Sequence, residues 1–250
     1  MFNYPYIISM NQYKLSFSLL VLLTILCFMG CVGEKGENDF RTSMELENDG
    51  YVALLGNNLN AWKGQIAEDP REIPELTEGM NETELQQLLS QVNEETFTHW
   101  YMQDGMLLYD GTRDIGNIET IEEYADFELV MDWKIGPKGD SGIFLRNMPQ
   151  VQIWDPHHQG VGSGGLYNND PNVEPIVTAD KPVGEWNRMV IRMVSDSVWV
   201  QLNGEMVVDG AIQENYWANY ERPAPAEGQI VLQSHGTPLW FKNLYIKELN

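Results

Sequence analysis

The 250-residue chain contains two cysteines, Cys27 and Cys31, and none beyond them. A domain folded from the remainder therefore has no disulfide and no thiol nucleophile, and its stability rests on its core. Bases are also scarce, with 15 Lys and Arg against 37 Asp and Glu, a formal net charge of −22. Such a surface repels a phosphate backbone and argues against a nucleic-acid partner. There is no internal repeat, no P-loop, no glycine-rich dinucleotide fingerprint and no CxxC or HExxH pattern, which removes most cofactor enzymes. No Ser-His-Asp or Cys-His order is readable either.

Residues 1–30 lack acids and carry one base, Lys14, before the apolar run LSFSLLVLLTILCFMG, which stops at Cys31. Charge order and length predict a signal peptide rather than a membrane span, with Met10 an alternative start. Small Gly30 before Cys31 resembles a bacterial lipobox, although Phe28 and Met29 depart from the usual residues. On that reading Cys31 is acylated and the exported chain is anchored by lipid in the cell envelope, at the periplasm or the outer-membrane surface. The alternative is a secreted protein cleaved nearby. Residues 31–50, polar, acidic and nearly free of bulky apolar side chains, are expected to be a flexible tether.

Residues 51–250 are long enough for one large β domain with its own core. Residues 68–100 form the one predicted helical region, with Thr83 as N-cap and Leu85, Leu88, Leu89 and Val92 at helical spacing. Elsewhere short alternating runs predict strands at 51–55, 106–109, 126–135, 141–146, 150–154, 188–195, 197–202, 229–233 and 239–248. Asn203-Gly204 between SVWVQL and EMVVDG predicts a tight hairpin. So many strands in one domain predict a jelly-roll β-sandwich, with Trp62, Trp186 and Trp199 in its core.

Strand parity sorts the chemistry. In DFELVMDWKI, Phe127, Leu129, Met131 and Trp133 point inward, and Glu128, Val130, Asp132 and Lys134 outward. The next two strands put Phe144 and Arg146, then Gln150, Gln152 and Trp154, on outer faces. Aromatics beside Arg and Gln suit sugars, whose C–H faces stack on rings and whose hydroxyl pairs meet amides, carboxylates or guanidinium groups. The bland alternative is a solvated sheet face. His235, flanked by glycine in GQIVLQSHG, is the candidate for proton transfer, or else a histidine that fixes a loop. Asp155, His157 and His158 have no third ligand at a diagnostic spacing, so no metal site is assigned, with a loop Ca²⁺ at residues 167–170 kept as a weaker alternative.

The segments YADFELVMDWKI, GDSGIFLR, PQVQIWD, GSGGLYNN, KPVGEWNRMVIRM, VQLNGEMVV and GQIVLQSHGTPLWFKNLYI, in this order, resemble the 3-keto-disaccharide hydrolase domain family, a concanavalin-like jelly roll. Two departures stand out: Asp140-Ser141-Gly142 replaces the usual Asn-Ser-Gly, and Gln150-Val151-Gln152-Ile153-Trp154-Asp155 replaces Glu-x-Gln-Ile-Leu-Asp. The resemblance implies an all-β concanavalin or laminin-G-like fold and cleavage of a glycoside already oxidised at C3. The ketone acidifies the C2–H, a base removes that proton, the aglycone leaves from C1, and water adds afterwards. On that scheme strand parity offers His235 or Asp132 as base, Arg146 and Lys134 as enolate stabilisers, and Gln152, Asp155, Tyr167 and Gln233 as hydroxyl readers. Asp140, Gln150, His157 and Lys181 complete the expected substrate surface. The competing readings are a non-catalytic carbohydrate-binding lipoprotein and an adhesion module of the same fold.

Overall fold

Two antiparallel sheets face each other across a dry interior, seen here in a computed structural model that describes residues 41–249. The described residues belong to one compact unit, Asn38–Asn250. The expected signal peptide, Cys31 and most of the expected tether lie outside the described residues.

The chain runs α1 (Ser43–Asn48), β1 (Val52–Ala53), β2 (Trp62–Gly64), α2 (Ile73–Leu76), α3 (Glu82–His99), β3 (Trp100–Gln103), β4 (Met106–Tyr109) and β5 (Ile118–Thr120). It continues with β6 (Phe127–Ile135), β7 (Asp140–Leu145), β8 (Met148–Trp154), α4 (Pro156–Gln159), β9 (Asn187–Val194), β10 (Ser197–Leu202), β11 (Glu205–Ile212), a 3₁₀ turn (Tyr216–Ala218), β12 (Val231–Leu232) and β13 (Leu239–Glu248). The larger sheet has the order β11-β10-β9-β6-β13-β4-β3, with β1 also on β13; the smaller is β2-β5-β12-β7-β8. This is the jelly-roll sandwich that the alternating runs predict.

Period-two alternation builds the core. Phe127, Leu129, Met131 and Trp133 of β6 meet Ile118, Leu232, Ile143 and Val151, which lie side by side across the smaller sheet. Trp62 is in this core, as expected. Trp199 is not: β10 buries Val198, Val200 and Leu202 and turns Trp199 outward. Trp186 likewise lies half-buried outside the core, its ring against the Lys134 and Lys242 ammonium groups.

The helical region is two helices rather than one. Asn81, not Thr83, caps α3, because its side chain accepts from the N–H groups of Thr83 and Glu84 while Glu84 returns to the Asn81 N–H. Gly64 lets α3 sit on β2, since a Cβ there would lie 2.8 Å from the Thr96 hydroxyl. The end of the expected tether is also ordered. A capping box between Thr42 and Glu45 starts α1, and Leu46 is fully buried with Tyr51, Val130 and Tyr245 on the outer face of the larger sheet. An acidic composition hid this single apolar anchor. Among the described residues no helix is long and apolar enough to cross a membrane.

Candidate functional site

The smaller sheet presents polar side chains on its outer face. Ile143, Leu232 and Ile118 point inward, so the next positions, Gly142, Gln233 and Asn117, turn outward. Gly142 pairs with Gln152, and the Gln233 N–H donates to the Gly142 carbonyl (3.0 Å). Gly142 is required by packing: a Cβ would lie 2.7 Å from Gln150 Cδ, so the bare backbone is what lets that amide lie across the sheet.

These amides form a buried chain of hydrogen bonds. Gln150 Nε2 donates to Gln152 Oε1 (2.5 Å), and Gln152 Nε2 donates to Asp140 Oδ1 and to the Ser141 carbonyl, both at 2.8 Å. The other Asp140 oxygen lies 3.7 Å from His235 Nδ1. His235 itself is more than half exposed. Gln233 Nε2 donates to Glu68 (3.3 Å), whereas Gln233 Oε1 is buried without a hydrogen-bond partner. Asn117 donates to Gln65 Oε1 (2.9 Å) and accepts the Ser234 N–H (2.9 Å).

A cleft of about 490 Å³ opens over this end of the sheet, walled by Gln65, Glu68, Tyr109, Arg113, Asn117 and His235 among others. Tyr109 ties its two sides together: its hydroxyl donates to the Thr112 carbonyl and accepts the Gly236 N–H, joining the turn that carries Arg113 to the turn that carries His235. Burial pushes the Tyr109 phenol up, so it stays a neutral donor. Arg113 runs along Gly236, where a Cβ would meet its Cγ at 3.0 Å, and forms no ion pair among the described residues. In the neighbouring row Lys63 holds Glu119 at 3.2 Å, and burial still raises the Glu119 carboxyl. Among the described residues no three His, Cys, Asp or Glu side chains are grouped to share a metal ion.

The expected site residues separate into three groups. His235, Asp140, Gln150, Gln152 and Gln233 share this face. Tyr167 lies beside Trp154 (ring centroids 5.9 Å apart) in a smaller pocket of about 110 Å³ that Gln152 also borders. Asp132 and Lys134 are on the opposite side of the molecule, on the outer face of the larger sheet. There Asp132 accepts from Asn243 (2.6 Å) and faces Arg188 (3.6 Å), while Lys134 stacks on Trp186 and Trp240. Their shared outward parity was real, but it belongs to a different sheet.

Arg146 is a structural residue, contrary to expectation. It sits in the β7–β8 turn at φ 54°, fully buried, and donates to the Ala125 and Pro225 carbonyls and to Asp126. Asp155 is likewise occupied: it caps α4 through the His157 N–H (2.9 Å) and accepts the Lys138 N–H (2.9 Å), which holds its carboxyl below the ordinary range. His157 and His158 are exposed on α4. Lys181 is also exposed, and its backbone N–H is fixed by Asn187. In the loop at residues 167–170, Asn169 is used in bonding Ile212 and Glu214. Sequence reasoning missed Arg113, Glu68 and Tyr109. Glu68 and Arg113 come from loops with no periodic signal, Tyr109 ends a strand whose alternation reads it as core, and only the tertiary fold gathers them.

Fold and site together define a concanavalin-type jelly-roll protein with a polar cleft at one end of its smaller sheet. Residues 50–247 match the family described as the 3-keto-alpha-glucoside-1,2-lyase-like domain, and the chain belongs to that family. It is 22% identical to a 3-keto-disaccharide hydrolase of Bacteroides thetaiotaomicron, over 83% of this chain and 81% of the relative. A Parabacteroides distasonis protein assigned provisionally as a glycosyl hydrolase shares the fold with a TM-score of 0.59 at 21% identity, over 84% of this chain and 99% of that one. A second protein of that organism, with the same provisional assignment, superposes with a TM-score of 0.54 at 23% identity, over 80% and 99%.

Proposed function

We propose that this chain cleaves the glycosidic bond of 3-keto-glycosides, with disaccharides the natural size for its cleft. The observation that carries the reading is His235, faced by Asp140, on the wall of a polar cleft that also holds Arg113, which forms no ion pair among the described residues. Family membership and the Bacteroides relative's name support the substrate class.

In this scheme the Asp140 carboxylate faces Nδ1 of His235 and favours the tautomer that keeps the proton there, leaving Nε2 free to take the C2 proton. The 3.7 Å separation closes to a hydrogen bond when substrate orders the exposed imidazole. Electrons from the C2–H bond pass into the C3 carbonyl, and Arg113 stabilises the enolate oxygen. The enolate then re-forms the ketone with a C1–C2 double bond as the C1–O bond breaks. The protonated His235 passes the abstracted proton to the departing oxygen, and water adds across the double bond, oxygen to C1 and hydrogen to C2. Gln152 holds Asp140 in place, and Gln233 Oε1, which has no hydrogen-bond partner among the described residues, accepts a sugar hydroxyl. The route uses no cofactor.

Incubating the purified domain with a 3-keto-disaccharide and following release of the reducing sugar tests this. Release that survives a chelator and falls by about 100-fold or more in His235→Ala supports the scheme. Saturable binding without release would make the protein a non-catalytic glycan binder. We extend the proposal to location: the N-terminal sequence makes this an exported protein acylated at Cys31. Radiolabelled palmitate should enter the wild-type chain in cells but not Cys31→Ala.

A further inference from the structure

The outer face of the larger sheet carries a second groove of about 320 Å³, on the opposite side of the sandwich from the His235 cleft. Its lining comes from two adjacent rows of the strand lattice. Glu128, Arg192 and Trp199 are register partners across β6, β9 and β10; Val190, Gln201 and Met206 form the next row across β9, β10 and β11. Val190 also packs against the buried cluster of Leu46, Tyr51, Val130 and Tyr245 that seats α1 on the same sheet face.

A tryptophan facing outward from a sheet exposes a large apolar surface, and here the backbone is built around it. The β10–β11 register shifts between Val198 and Val200, so two residues, Asp209 and Gly210, stand opposite Trp199 alone. Gly210 has φ +72°, and a Cβ there would lie 3.2–3.4 Å from three indole atoms. The bulge and the glycine let the ring lie flat against bare backbone. Trp199 Nε1 and the Gln201 amide have no hydrogen-bond partner among the described residues. Glu128, by contrast, is held by Arg41, Tyr51 and Arg192.

We infer that this groove is a second, non-catalytic site for a neutral oligosaccharide, with the Trp199 indole under a sugar ring and Gln201, Arg192 and Glu128 bonding its hydroxyls. A flat aromatic, a free amide and a guanidinium 3.6 Å from a carboxylate suit a pyranose face and vicinal hydroxyls. Because Glu128 offsets Arg192, the groove has no net cationic charge with which to select an acidic sugar. The site stands independently of the chemistry assigned to the His235 cleft and would hold a glycan on the far side of the molecule.

The test is ¹⁹F NMR of protein labelled with 5-fluorotryptophan, with the Trp199 resonance assigned by its loss in Trp199→Phe. Cellohexaose, xylohexaose, mannohexaose and maltohexaose are titrated separately, with oligogalacturonate as the charged probe. At least one neutral hexaose should move the Trp199 resonance, equally in wild type and in His235→Ala. Gln201→Ala should weaken that response about tenfold, and Trp199→Phe should leave 3-keto-disaccharide turnover unchanged. No movement with any of the four neutral sugars, or movement with oligogalacturonate alone, overturns the inference. So does a response that vanishes in His235→Ala.

Discussion

Asp140 places one carboxylate oxygen 3.7 Å from His235 Nδ1 and the other 2.8 Å from the Gln152 side-chain amide. The strand residue is thereby locked to the sheet while its other oxygen faces the exposed imidazole. Asp140→Asn keeps an oxygen for Gln152 and removes the charge that faces His235. The expected result is a fall in kcat/KM of about 10- to 100-fold with little change in thermal stability. A variant that turns over as wild type would remove Asp140 from the mechanism.

Asp132 and Lys134 should be dispensable for turnover. Both lie on the other sheet's outer face, engaged with Arg188, Asn243, Trp186 and Trp240. Asp132→Asn and Lys134→Met are expected to leave kcat/KM within about twofold of wild type, since substitutions remote from the chemistry act independently of it. A large loss in Asp132→Asn would restore it as the base.

Arg146 should report on stability rather than catalysis. Arg146→Met leaves the Ala125 and Pro225 carbonyls and the Asp126 carboxylate without their buried donor. Urea denaturation should show a loss of about 3 kcal/mol, whereas the folded fraction retains its KM.

The α4 cap gives a pH dependence with a definite sign. Backbone donors, Lys138 first and then His157, lower the Asp155 carboxyl in the folded state. Its stabilisation is therefore complete above the unfolded pKa and is lost as pH falls through the folded one. Asp155→Ala should cost about 1–2 kcal/mol near neutral pH. The gap from wild type should close progressively below about pH 4, as followed by urea denaturation at a series of pH values.

The strands were the legible part of the chain. β4, β10 and β13 match the alternating runs residue for residue, because a half-buried strand writes its two faces into every second position. Missed were β2 and β5, three residues each, and β3, which continues from the end of α3 without a turn to mark its start. Family membership was readable from motifs in order, and the outward parity of Gln150 and Gln152 from the alternation of β8, whereas His235 lies in the turn beyond β12.

Parity reports only whether a side chain points in or out, and a sandwich has two outsides. Asp132 and Gln152 carry the same sequence signal, yet β6 and β8 belong to different sheets, so the two residues face opposite ways. Pairing between strands distant in sequence decides that, as it decides that the turn carrying Arg113 meets the turn carrying His235 through Tyr109. It also decides that Arg146 spends its donors on carbonyls. By itself the sequence determined the alternation, the hairpin, the acidic surface and the family; the tertiary structure decided which polar residues share a cleft, because only long-range strand pairing selects the face each one occupies.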